Sequence, residues 1–293
     1  KHLLRGQRPS PRDMFLTPSN AHRLTQQLSQ MRGAAMKMGQ LLSLEAGDLL
    51  TPELAAVLRP LQAQAHFMPP AQLKQVLTKA WGADFTKQFK KFDVRPIAAA
   101  SIGQVHRAQT RDGRDLAIKV QYPGIRDSID SDLRNLASLM RLSGMMPKGL
   151  DLKPLLEDTR AQLHEEADYD QEARSLVRFG DLLKDDPDFI VPAYHGDLST
   201  RDILAMEYIP SDPIDTLEDA DQITRNQMAE RLITLMMREV FEFHLVQSDP
   251  NFANFRWQPD TGKLVLLDFG ATRVLSPDLV AQSRAILRPS LDN

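Results

Sequence analysis

"FDVRPIAAASIGQVHRAQTRDGRDLAIKVQYPG", residues 92–124, is where the helical texture of the chain gives way to another pattern. Apolar and polar residues alternate with the period of half-buried strands, and the alternation breaks at "RDGRD", where Asp112-Gly113 is a strong hairpin signal. The stretch predicts a small antiparallel sheet. Its first turn, "AAASIGQV", 98–105, consists largely of small side chains. A backbone that must lie over anionic oxygens needs such residues, so that its N–H groups can point at phosphate. Ala98, Ala99, Ala100 and Ser101 keep the loop slim, although alanine, unlike Gly103, resists positive φ. Fourteen residues beyond Val105, Lys119 ends "LAIK" on the face that would reach such oxygens. Taken singly, a lysine in an apolar strand more often snorkels to solvent.

Upstream, the pattern is helical. After Thr17-Pro18-Ser19, a plausible helix start, Leu24, Leu28, Met31, Ala35, Met38 and Leu42 alternate steps of four and three, so one stripe faces a core. Lys37 and Gln40 lie away from that stripe, with Gly33. On position alone this is a solvated face, although glycines inside a helix, Gly33 and Gly39, hint at something approaching closely. "TPELAAVLRPL" and "PPAQLKQVLTKAWG" predict two further short helices, each with a proline near its first turn.

Downstream, "DLKPLLEDTRAQLHEEADYDQEARSLVRFGDLL" predicts a long helical stretch crowded with acids, in which Asp168 and Glu172, four apart, share a face. That face is solvated unless something nearby needs a carboxylate. "DFIVPAYHGDLSTRDILAMEYIPSDPI" then predicts two strands running into an irregular segment, where Pro210 of "MEYIP" stops the second strand after Glu207, Tyr208 and Ile209.

The chemistry concentrates further on. "SDPNFANF", 248–255, sets Asp249 five places ahead of Asn254, and "LVLLDFG" brings Asp268. A hairpin with a Thr261-Gly262 turn joins the two segments and returns the second acid beside the first. Two carboxylates and a carboxamide are oxygen ligands suited to Mg²⁺ or Mn²⁺; zinc would want His or Cys at close spacing, and neither is present.

Composition narrows the classes. Of 293 residues, 42% are hydrophobic, ample for a sizeable core in one large domain or two medium ones. Lys plus Arg total 36 against 39 for Asp plus Glu, so nothing here has the electrostatic footprint of a nucleic-acid binder. With no cysteine there is no disulfide scaffold, thiolate metal site or cysteine nucleophile, which suits a reducing compartment. No apolar run approaches the roughly 20 residues that cross a bilayer, and no secretory signal is visible. The chain begins with Lys rather than Met, so a targeting segment or anchor is compatible with it.

In order and spacing these elements resemble a protein kinase. The small-residue turn has the G-x-G-x-x-G-x-V spacing with Ala98 and Ala100 at the first two glycines, "LAIK" resembles the V-A-I-K strand, Asp249 and Asn254 fit D-x-x-x-x-N, and Asp268 fits D-F-G. "KMGQ" (37–40), "AAASIGQVH" (98–106), "IKVQYPG" (118–124), "EEADYDQEA" (165–173), "SDPNFANF" and "LLDFGATR" together resemble the UbiB family of atypical kinases, in the branch tied to coenzyme Q (ubiquinone) biosynthesis.

The resemblance implies an α+β, bilobal protein-kinase-like fold: a helical extension over 1–90 carrying the K-x-G-Q motif, a sheet lobe with inserted helices over 91–210, and a partial, truncated helical lobe over 211–293. It implies ATP and Mg²⁺, or Mn²⁺, as cofactors. Asp249 is then the residue that orients or deprotonates the acceptor, Asn254 and Asp268 the metal ligands, Lys119 the phosphate lysine and Glu172 its partner. The nucleotide would be covered by Ala98–Gly103 and Val105 and contacted at Glu207, Tyr208 and Ile209. Lys37 and Gln40 would lie over the nucleotide site, in the groove where a kinase binds peptide, with Glu166 and Asp168 as the family's E-x-D pair. The implied acceptor is therefore water or a small lipid-like molecule. The implied partners are a quinone precursor or lipid, quinone-biosynthesis proteins and a peripheral membrane surface, in the cytoplasm or mitochondrial matrix. An ATP-binding scaffold without turnover, or a small-molecule phosphotransferase, is the alternative. Gln247-Ser248 stands where a kinase has His-Arg, so no arginine there can read an activation-loop phosphate, and no A-P-E follows D-F-G.

Overall fold

The computed structural model describes residue 37 and residues 67–100, 102–143, 152–249 and 251–291. Gln40, Ser101, the helical stripe from Leu24 to Leu42 and the helix expected over "TPELAAVLRPL" lie outside the described residues; Lys37 is described as a single buried helical residue. The chain divides into two compact units, one drawn from Lys1–Lys79, Asp93–His106 and Lys119–Ala167, the other from Ala80–Phe92, Arg107–Ile118 and Asp168–Asn293. One sheet has the strand order β1 (Phe89–Phe92), β3 (Gly103–Thr110), β4 (Asp115–Gln121), β6 (Ile203–Glu207), with β2 (Ala98–Ala99) also paired to β3. The expected hairpin between β3 and β4 forms: Gly113 takes φ +98°, and Thr110 donates its N–H to the Arg114 carbonyl at 2.9 Å.

In the first unit, helix α1 (Pro70–Trp81) begins on the proline that marked it and buries Leu73, Val76 and Leu77, spaced three and one apart on one face. Helices α2 (Ile125–Ser143) and α3 (Leu152–Glu166) pack together, with Asp130 of α2 meeting Arg160 of α3 at 3.1 Å. The β2–β3 pairing matches Ala98 with Val105 and Ala99 with Gln104. Gln104 and His106 are fully buried and lock each other. Gln104 Oε1 accepts from the Met68 N–H, so its Nε2 donates to His106 Nε2 and His106 Nδ1–H donates to the Asp93 carbonyl, each at 2.8 Å. Burial pushes the His106 imidazole below its ordinary value, consistent with this neutral tautomer.

The second unit is built around helix α4 (Tyr169–Leu183). Tyr169, Ala173, Leu176, Phe179 and Leu183 recur at helical spacing and form one core with Leu204 and Met206 of β6, with Leu264 and Leu266, and with Phe269. The long helical stretch expected over 151–183 forms as two helices. Asp168 leaves helical geometry (φ −92°, ψ 80°) and caps α4, its carboxylate accepting from the Gln171 N–H at 3.0 Å. Asp168 lies one turn before Glu172, its carbonyl receiving the Glu172 N–H at 3.0 Å, while its side chain is committed to the cap. A second sheet has the order β5 (Phe189–Ile190), β10 (Leu264–Leu266), β9 (Phe255–Trp257), β7 (Asp212–Pro213). Here β5 pairs in parallel with β10, far along the chain, and β10 is fully buried at the sheet's centre. Helix α5 (Gln222–Arg238) runs into a π-helical turn, Glu239–Phe243, which His244 ends in a left-handed conformation at φ 49°. The chain then enters β8 (Leu245–Gln247), which pairs with β11 (Thr272–Val274); helix α6 (Pro277–Leu291) follows.

Candidate active site

Two short strand pairs bracket two loops. Gln247 of β8 lies opposite Thr272 of β11, and Phe255 of β9 lies opposite Leu266 of β10. The segments between, 248–254 and 267–271, therefore start and end against each other. Their backbones are stitched together: Ser248 donates to the Ala271 carbonyl through both N–H (2.7 Å) and hydroxyl (2.9 Å), and Leu267 donates its N–H to the Asn254 carbonyl at 3.0 Å. Gly262, at φ +68°, supplies the expected turn of the β9–β10 hairpin, with its N–H on the Gln258 carbonyl at 2.7 Å.

Asp249, Asn254 and Asp268 sit on these loops. Asn251 caps a short 3₁₀ turn, Phe252–Asn254, by accepting from the Ala253 N–H, and the turn buries Asn254. Asn254 Nδ2 donates to the Asp249 carbonyl at 3.4 Å, which identifies Oδ1 as the acceptor edge of that amide. One Asp268 carboxylate oxygen receives the Gly270 N–H at 3.0 Å, and Phe269 turns into the core, its ring 5.1 Å from Phe179 of α4. Glu172 lies on that same helix, buried, two turns before Phe179. Among the described residues no three of His, Cys, Asp and Glu gather as a metal site. The donor set on these loops is carboxylate and carboxamide oxygen, which fits a hard divalent cation and not a soft one.

The first unit holds other candidates. Ala98 and Ala99 are the strand β2 rather than part of a turn; after them the Ala100 N–H donates to the Gly103 carbonyl at 2.9 Å, and none of the three alanines takes a positive φ. Gly103 is needed for space rather than for φ, since a Cβ there would lie 2.4 Å from the Val120 carbonyl oxygen. Val120 follows Lys119, which is buried near the end of β4. Lys37 forms a 2.5 Å ion pair with Glu166, with side-chain exposures of 5% and 16%. Thus the K-x-G-Q lysine and the first E-x-D acid are joined; Asp168, the second, is the α4 cap.

The segment expected to meet adenine is pinned from below. Tyr208 donates its N–H to the Asp115 carbonyl at 2.9 Å and takes the Arg107 guanidinium 4.1 Å above its ring, while Arg107 forms a bidentate pair with Asp115 at 3.0 and 2.5 Å. Glu207 exchanges hydrogen bonds with Ala193, and the Ile209 carbonyl accepts from Ser211 Oγ.

Four residues were not among the site residues expected from sequence. Gln121, buried at the end of β4, donates to the carbonyl of Ala167 at 2.8 Å, the residue between Glu166 and Asp168. Gln247 donates its side-chain amide to the Asp268 carbonyl at 2.6 Å, and Ser175 of α4 meets Thr272 hydroxyl to hydroxyl at 2.6 Å. Two of them had a sequence signal: Gln121 closes an otherwise buried strand, and Gln247 stands in the place where a kinase has histidine.

Sheet, helices and paired acidic loops of this kind define a kinase-like protein. A family comparison agrees: residues 60–290 match the ABC1 atypical kinase-like domain, and the chain belongs to that family. It is 42% identical over 285 residues to the mitochondrial atypical kinase COQ8 of Saccharomyces cerevisiae, covering 97% of this chain and 57% of that protein. It is 40% identical over 259 residues to the mitochondrial atypical kinase COQ8B of Danio rerio, covering 88% of this chain and 42% of that one. The chain therefore spans about half the length of these relatives. Among solved structures, the Rv3197–erythromycin complex of Mycobacterium tuberculosis is similar with a TM-score of 0.60 and 27% identity, covering 88% of this chain and 65% of that one.

Proposed function

We propose that the chain is the nucleotide-handling part of an atypical kinase that binds Mg-ATP and passes the γ-phosphoryl to water or to a small, lipid-like acceptor, in support of ubiquinone biosynthesis. The observation that carries this reading is the stitching of segments 248–254 and 267–271, which holds Asp249, Asn254 and Asp268 on facing loops.

Phosphoryl transfer asks a protein for positioning and electrostatics rather than covalent chemistry. Asp249 orients the acceptor hydroxyl and takes its proton; Asn254 Oδ1 and the Asp268 carboxylate are the oxygens that would hold Mg²⁺, which when bound neutralises charge on the β and γ phosphates. In the roles the family resemblance gives them, Lys119 meets the α and β phosphates, Glu172 holds its ammonium, and the Ala98–Gly103 segment with Val105 covers the nucleotide. Tyr208, with its N–H on Asp115 and its ring on Arg107, fixes the segment Glu207–Ile209 that is proposed to meet adenine. The Lys37–Glu166 pair supports an acceptor smaller than a peptide, because an N-terminal segment fastened to the E-x-D motif occupies peptide-binding space in the family arrangement.

Both curated relatives named above are mitochondrial proteins, and the same compartment is proposed here, at a membrane surface. Among the described residues no helix is long and apolar enough to cross a membrane. Phosphate release from Mg-ATP, measured with and without anionic liposomes and a phenolic quinone-precursor mimic, tests the reading. Turnover raised by the lipid and phenol supports it. Metal-dependent nucleotide binding with no turnover under any of these conditions transfers the protein to the scaffold class.

A further inference from the structure

The loop that carries Asp268 is held from two sides by polar side chains for which the family motifs give no role. On one side, Gln247, two residues before Asp249, reaches across to donate its amide to the Asp268 main-chain carbonyl at 2.6 Å. On the other, Thr272, four residues after Asp268, shares a 2.6 Å hydroxyl contact with Ser175 of α4. Gln247 and Thr272 are themselves register partners in the β8–β11 ladder. One line of contacts thus runs from Ser175 through Thr272 and Gln247 to Asp268. Helix α4 touches the same loop a second time where Phe179 packs on Phe269, and Ser175 lies one turn beyond Glu172.

We propose that Gln247 and Thr272 are positioning residues: together they form a strut that fixes the Asp268 carboxylate for the metal and ties its loop to the helix carrying Glu172. This rests on the Mg-nucleotide reading above. The geometry suits the task. Gln247 donates to the peptide carbonyl of Asp268 itself, and the carboxylate is separately held by the Gly270 N–H, so main chain and side chain are each restrained. With the carbonyl gripped, rotation of the peptide that would swing the carboxylate away costs a short hydrogen bond. A glutamine is specific here because the grip needs a neutral donor; a carboxylate of the same shape has none and would face the carbonyl oxygen with like partial charge. Groups that orient metal ligands without touching the metal typically change affinity by about 10–100-fold when altered.

The test uses the full chain and Mg²⁺ titrated at fixed ATP, read as the rise in melting temperature, so that binding is scored without turnover. Gln247→Glu, which removes the donor while keeping the shape, raises the half-saturating Mg²⁺ at least about tenfold. Gln247→His, which restores an N–H of similar reach, recovers most of the loss. Thr272→Val, whose methyl replaces the hydroxyl, weakens Mg²⁺ in the same direction, and adding Ser175→Ala to it changes nothing more, as expected if the two hydroxyls act only through each other. Thr272→Val and Ser175→Ala carry the test if Gln247→Glu fails to fold. If wild type shows metal-dependent ATP stabilisation and the variants match its Mg²⁺ dependence, the strut is overturned while the nucleotide reading stands. If wild type shows no metal-dependent stabilisation, both fall.

Discussion

Leu267 donates its backbone N–H to the carbonyl of Asn254 at 3.0 Å, so the residue before Asp268 is fastened to the residue that ends the Asp249 loop. That bond, with the double donation of Ser248 to Ala271, makes the two acidic segments one structural object. A carboxylate dyad or triad useful for metal and phosphoryl chemistry must be held to within a few tenths of an ångström, and backbone hydrogen bonds do this more rigidly than side-chain contacts.

Gly103→Ala is expected to damage the proposed nucleotide-covering loop through space alone. A methyl placed 2.4 Å from the Val120 oxygen cannot be accommodated unless β3 and the end of β4 separate, at a cost of about 1–3 kcal/mol. Because Val120 follows Lys119, the shift carries to the lysine. Lower melting temperature together with weaker ATP binding is the expected result of paired thermal and nucleotide titrations. Unchanged values in both would mean that the close approach is readily relieved.

The Lys37–Glu166 pair makes a different prediction. Glu166→Gln takes a carboxylate away from a buried ammonium and is expected to destabilise by about 3–5 kcal/mol, whereas Lys37→Met combined with Glu166→Gln regains much of that loss, because the pair's attraction largely offsets its own desolvation. Urea unfolding of wild type, both single variants and the double variant checks this as a cycle. Strict additivity of the single losses would contradict the pairing.

Burial pushes the Glu239 carboxyl up to about 7, against an ordinary 4.5, with the Gln247 N–H pulling weakly the other way. Between these values the native state keeps a proton that the unfolded chain has released. The stability contributed by the neutral acid is complete below about 4.5 and is lost as pH rises through about 7, a change of up to roughly 3 kcal/mol. Glu239→Gln cannot ionise, so its melting temperature relative to wild type should climb between pH 5 and pH 8. A constant difference across that range would exclude the effect.

The facing of the two acidic loops was legible because it depends on spacing along the chain. The Asp249–Asn254 interval and the Thr261-Gly262 turn predict, without coordinates, that the Asp268 loop folds back on the Asp249 loop. The hairpins at Gly113 and Gly262 were legible for a related reason: few residues tolerate the positive φ found there. Less accessible were features decided by residues distant along the chain. The break between α3 and α4 falls inside an unbroken acidic, helix-like pattern, where Asp168 is as good a helix residue as a cap until Gln171 takes its carboxylate. The parallel pairing of β5 with β10 joins a two-residue strand to a partner some seventy positions away, beyond the reach of local periodicity. Gln247 and Thr272 escaped because a side chain that grips a distant main-chain carbonyl, or a hydroxyl on a distant helix, leaves no spacing signature.

Under the proposed function Asp249 acts on the acceptor while Asn254 and Asp268 hold the metal, and Asp249→Asn separates the two roles. The most direct measurement is phosphate release by wild type and Asp249→Asn in Mg-ATP with anionic liposomes and the phenolic mimic, with ATP binding measured in parallel. The expected result is ATP binding within about threefold of wild type and a turnover at least about 10²-fold lower, the scale of a positioned general base. Equal rates of phosphate release would contradict it.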